Sequence, residues 1–139
     1  MRILALTATP ISGQALRDAL PAEVDLDAVE ALIVAPALQE SPLRFWVSDA
    51  DEAIDRAAAV WQRSVDALDQ AGISASGDTG ESDPLDAIDD AMQTFKADRI
   101  VLFTRSDDDA RYREDVDPDE VRARFGVPVD HATPSRSRA

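Results

Sequence analysis

Residues 105–113 read Arg105-Ser106-Asp107-Asp108-Asp109-Ala110-Arg111-Tyr112-Arg113, and two chemistries compete in that stretch. Arg105, Arg111 and Arg113 each carry a planar fork of N–H donors that matches the oxygens of a phosphate. Asp107, Asp108 and Asp109 offer hard oxygen ligands of the kind that suit magnesium or calcium. An EF-hand loop needs alternating acids and a glycine, and this stretch has neither, so the triplet reads as a solvated acidic loop. Local pairing of the arginines with these aspartates, Glu114 and Asp115 is the plainer account of their charge, worth at most about 1 kcal/mol per exposed pair. Position keeps anion binding open. The loop follows Ile100-Val101-Leu102-Phe103, an unalternated apolar run that reads as a strand buried on both faces, as in parallel sheets covered by helices. Ligands of open α/β sheets bind at the C-terminal ends of such strands.

Other constellations are weaker. His131 is the single histidine and the chain has no cysteine, so a transition-metal site and a Ser-His-Asp triad both lack partners. His131 reads as a solvent-facing residue at a strand end. Neither GxxxxGK[ST] nor GxGxxG occurs, and Ser12-Gly13 alone does not make a phosphate loop. Leu43-Arg44-Phe45-Trp46 leaves the second strand on the ligand side, where it either covers a pocket, meets another subunit or folds over its own core. No carboxylate pair stands out as an acid/base couple. No catalytic and no metal-ligating residue is assigned.

The elements that must position these residues follow in order. Residues 2–7 form a first buried strand, ended by Ala8-Thr9-Pro10, and residues 12–20 form a short helix closed by Pro21. Ala31-Leu32-Ile33-Val34-Ala35 is strand two, stopped by Pro36. The longest helix starts near Asp49, with Glu52 three residues on, and Ile54, Ala58, Trp61, Val65 and Leu68 make its apolar stripe. On that stripe Trp61 belongs to the core. Gly72 closes the helix. Residues 73–79 alternate weakly, as an edge strand does. Asp83-Pro84 opens a helix buried through Leu85, Ile88, Met92 and Phe95. After the central strand and its acidic loop, Asp117-Pro118-Asp119-Glu120 caps a last helix anchored by Val121 and Phe125 and ended by Gly126. Val127-Pro128-Val129 begins a proline-marked edge strand.

This β-α-β-α-β-α-β-α-β order predicts one doubly wound, Rossmann-like α/β domain over residues 1–133, with a five-stranded parallel sheet and helices on both faces. Residues 134–139 are expected to be a disordered tail. A length of 139 residues suits one domain. Its formal charge of −14 disfavours nucleic acid and anionic membranes as partners. The acidity suits a soluble surface; the excess of aspartate over glutamate, with Lys96 the only lysine, fits either a GC-rich genome or a salty cytoplasm. Absence of cysteine, of a signal-like opening and of any run near ~20 apolar residues points to a cytoplasmic setting.

At this level the chain resembles the universal stress protein family. The likeness is carried by the opening strand at residues 2–7, by Gly80-Glu81-Ser82-Asp83-Pro84 with Ile88, by Ala97-Asp98-Arg99-Ile100-Val101-Leu102-Phe103-Thr104 and by Gly126-Val127-Pro128-Val129. The resemblance implies a sheet ordered 3-2-1-4-5, a homodimer, and a binding or regulatory rather than enzymatic role. For one subset of the family it also implies ATP or AMP, with magnesium, at the C-terminal edge of the sheet. The residues it places around such a ligand are Thr7, Ala8, Thr9, Pro36, Gly80, Thr104, Arg105 and Ser106, with Arg111 and Arg113 as further candidates. Departures weigh against that ligand. Nucleotide-binding members carry an aspartate after strand one, where this chain has Thr7-Ala8-Thr9-Pro10, and glycines after the fourth strand, where this chain has none between Phe103 and Gly126. A nucleotide-hydrolysing or nucleotidyl-transfer enzyme of related fold, and a dimeric scaffold that has lost its ligand, are the alternatives.

Overall fold

The computed structural model of the chain describes residues 1–37, 49–81, 83–103 and 118–132. The expectations for the Leu43-Arg44-Phe45-Trp46 connection, for the acidic loop after the fourth strand and for the C-terminal tail lie outside the described residues.

Five strands, β1 (Arg2–Thr7), β2 (Glu30–Pro36), β3 (Ser74–Gly80), β4 (Arg99–Phe103) and β5 (Val129–Ala132), form one sheet in the order β3-β2-β1-β4-β5. Every pairing is parallel. The four described helices are α1 (Gly13–Ala19), α2 (Asp49–Gln70), α3 (Pro84–Thr94) and α4 (Pro118–Phe125). A single 3₁₀ turn at Leu26–Ala28, capped by the Asp25 side chain accepting from the Asp27 N–H, precedes β2 and was not anticipated from the sequence.

The unbroken apolar runs become the central strands because both of their faces are covered. Ile3, Ala5, Ala31, Ile33, Val101 and Phe103 point into one core with Leu16, Leu68 and Ile73. Leu4, Leu6, Val34, Ile100 and Leu102 point into the other with Ile88 and Val121. β1 lies at the centre, paired with β2 on one side and β4 on the other, and its residues Ile3 to Leu6 are essentially inaccessible to water. Helix ends follow their signals. Ser12 caps α1 by accepting from the Ala15 N–H at 3.0 Å, and Asp83 caps α3 with Pro84 at its first position. Gly72 ends α2 with φ at 84°, a conformation that favours glycine.

The stripe of α2 requires a correction. Its buried described residues are Ala53, Ala57, Ser64 and Leu68. Of the predicted stripe Leu68 is fully buried and Trp61 and Val65 pack partly buried against the first core, but at the start of the helix the inward residues are Ala53 and Ala57, one position before Ile54 and Ala58. Ile54 is 48% exposed. Close approach is the cause. The Trp61 ring lies on Gly77 of β3 so tightly that a Cβ there would sit 2.4 Å from Trp61 Cε3. Over its first turns the helix sets small residues, Ala53 and Ala57, against the sheet, and it buries a large one, Leu68, only near its end. Trp61 is half-buried: it packs against the first core and donates its indole N–H to Thr79 Oγ1 at 3.1 Å.

Candidate functional site

The strand order fixes where the sheet changes direction. From β1 the chain winds outward through β2 to β3, then returns to β4 on the opposite side of β1. The C-terminal ends of β1 and β4 therefore flank the switch point, where crevices form in doubly wound sheets. Along that edge the described strand ends are Gly80 of β3, Pro36 of β2, Thr7 of β1 and Phe103 of β4. The register aligns Pro36 with Gly80 and Thr7 with Phe103.

Thr7 is fully buried, and its hydroxyl is committed to the turn that follows. It donates to the Thr9 carbonyl at 2.7 Å and accepts from the Thr9 N–H at 3.3 Å, closing a small ring around Ala8. The next residues are anchored across the core. Ile11 is buried, and its N–H donates to Ser64 Oγ at 3.0 Å, while the Ser64 hydroxyl donates to the Val60 carbonyl at 2.8 Å. Ser64 thus ties the β1–α1 turn to α2. It is a residue that sequence reasoning missed, and its signal was a serine on the apolar side of an amphipathic helix. Ala8 and Thr9 stay partly accessible at the crevice.

Pro36 is buried at the end of β2, and the following Ala37 N–H donates to the Gly80 carbonyl at 3.1 Å, prolonging the β2–β3 ladder. Gly80 is a packing residue: a Cβ there would lie 2.8 Å from both Ala87 Cβ and Val34 Cγ1, so its absence lets α3 settle on the sheet. The structure therefore brings Thr7, Ala8, Thr9, Pro36 and Gly80 to one edge, with Thr7 and Gly80 already occupied by internal contacts. Thr104, Arg105, Ser106, Arg111 and Arg113 lie outside the described residues. Among those described, Arg2 and Arg99 begin their strands at the opposite, N-terminal edge, and Glu81 follows directly on β3 at this one. No group of three His, Cys, Asp or Glu side chains among the described residues is placed to hold a metal ion.

The chain matches no family model and no curated protein sequence. Its fold matches that of a universal stress protein family protein from Arabidopsis thaliana, determined as a crystal structure with AMP bound. The TM-score is 0.60 at 12% sequence identity, over 97% of this chain and 92% of that one. At that identity the likeness is one of fold. The parallel sheet ordered 3-2-1-4-5 with helices on both faces is a universal stress protein-like architecture.

Proposed function

We propose that the chain is a non-enzymatic binding or regulatory module of the universal stress protein type, whose ligand is an adenine nucleotide held at the C-terminal ends of β1 and β4. The observation that carries this reading is the switch point itself: β1 and β4 part there, in a fold shared almost end to end with a protein crystallised with AMP. Ala8, Thr9 and Pro36 would face the ligand, with Thr7 and Gly80 shaping the walls behind them. Thr104, Arg105, Ser106, Arg111 and Arg113 would supply the polar contacts, arginine forks replacing the glycine backbone that usually cradles phosphate. The module acts as a homodimer in the cytoplasm, with residues 1–133 as its one domain.

A second reading is favoured by Thr7. Its hydroxyl satisfies its own turn and is shut off from solvent, which suits a scaffold that kept the fold and lost the ligand.

Calorimetric titration with ATP and magnesium, then with AMP, near 0.15 M salt separates the two. Dissociation constants of about 1–100 μM, weakened at least about tenfold in Arg105→Ala, are expected of the nucleotide module. Absence of heat at millimolar nucleotide would retire it in favour of the scaffold.

A further inference from the structure

A concavity lies on the α3 side of the sheet, between β2, β3 and α3, and small side chains create it. β3 reads Ser74-Ala75-Ser76-Gly77-Asp78-Thr79-Gly80 and offers no large apolar side chain. α3 sets Ala87 and Ala91, one turn apart, against the same space. Between these walls Leu32 and Val34 of β2 form an apolar floor, and Leu32 stays partly exposed although β2 is an interior strand. The space measures about 570 Å³, within the range of small-molecule pockets. At its mouth stands Ile54, one of two large apolar side chains left exposed among the described residues.

The rim carries one sign of charge. Asp78, Glu81 and Asp90 line it, and the described lining contains no lysine or arginine. Asp78 Oδ1 accepts from the Thr79 N–H at 2.9 Å, and neither Glu81 nor Asp90 has an ion-pair partner among the described residues. An apolar floor beneath unpaired carboxylates complements a ligand with a hydrocarbon body and a positive head. It disfavours a phosphate or carboxylate, which would meet like charge at the rim.

We propose that this groove binds a small organic cation, a primary ammonium carried on an apolar body. The body lies on Leu32, Val34 and Ile54, and the ammonium faces Asp78 and Asp90. The groove meets the proposed nucleotide crevice at Gly80, which lines both, but is not lined by Ala8, Thr9 or Pro36.

The test uses the full chain, with phenethylammonium as probe and phenethyl alcohol and phenylacetate as neutral and anionic counterparts of the same shape, at 0.15 M salt. Backbone amide shifts and calorimetry are read together. Phenethylammonium is expected to bind in the sub-millimolar range and to shift amides of β2, β3 and α3, with the alcohol about tenfold weaker and phenylacetate silent. Asp90→Asn, at an exposed helical position, is expected to weaken the cation about fivefold. Ala91→Phe fills the groove at unchanged net charge and is expected to abolish binding. Equal binding of phenylacetate, binding that survives Ala91→Phe, or an unchanged affinity in Asp90→Asn would each overturn the proposal, the middle result assigning the cation to the diffuse field of an acidic surface. Should Ala91→Phe fail to fold, as thermal melting would reveal, Asp90→Asn and the shift map decide the matter.

Discussion

The two outer strands of the sheet are held by different physics. β5 is fastened by charge. Arg99 Nη1 donates to Asp130 Oδ2 at 2.7 Å across the β4–β5 pair, both side chains mostly shielded from water. Arg122 of α4 reaches the Val129 carbonyl at 3.4 Å. β3 is fastened by fit, with the Trp61 ring on Gly77 on one face and Ala87 on Gly80 on the other. A strand carrying serines, glycines and an aspartate has little apolar area of its own to bury, so close contact with its glycines substitutes for side-chain burial. The contrast teaches that an acidic, lysine-poor chain can secure one edge electrostatically while leaving the other tolerant of salt but intolerant of added volume.

Adding volume tests the second half most severely. Gly77→Val would drive two methyl groups into the Trp61 ring, and a loss of about 3 kcal/mol, or about 10 °C in melting temperature, is expected in a thermal unfolding series. Next in size is Asp130→Ala, which strips Arg99 of its partner while Arg99 Nε is already buried without one. Urea unfolding should register about 1.5 kcal/mol. Smallest is Trp61→Phe, which keeps an aromatic surface on Gly77 and removes the hydrogen bond to Thr79, at about 1 kcal/mol by the same measurement. Repeating the series in 1 M KCl sharpens the comparison. Screening should shrink the Asp130→Ala penalty and leave the Trp61→Phe penalty as it was. The parent protein should itself melt higher, because its net charge of −14 repels itself less. Equal salt responses of the two variants would erase the distinction between the edges.

The strands and the helix signals were legible because they rest on local chemistry, whereas the order of the strands in the sheet came only from the family resemblance. An apolar run bounded by polar residues has one economical fate in a helix-covered sheet, and Asp83-Pro84 can hardly do other than open a helix. The inward face of α2 was legible only in part. Leu68 is buried and Val65 packs against the first core as the periodicity implies, whereas Ile54 is exposed and Ala53, Ala57 and Ser64 are buried, a distinction that depends on how closely the helix approaches Gly77. The same reasoning explains the site. Thr7, Pro36 and Gly80 fall at the C-terminal edge of the sheet, yet the inward turn of the Thr7 hydroxyl and the contact between Gly80 and Ala87 depend on distances that no spacing encodes. The groove beneath α3 was hidden for a related reason: it consists of what small residues leave empty.

The pairing of β1 with β4 has a consequence for the order of events during synthesis. Ile3 to Thr7 lie against Arg99 to Phe103, so one flank of the central strand finds its partner only after most of the chain has been made. The β2 flank is satisfied much earlier, since β2 follows within the first third of the sequence. Until β4 emerges from the ribosome, the nascent sheet carries an open hydrogen-bonding margin along its central strand. A chain released just before residue 99 would therefore lack the partner of that margin and stand open to pairing with a neighbouring chain, while one released a few residues later would begin to seal it.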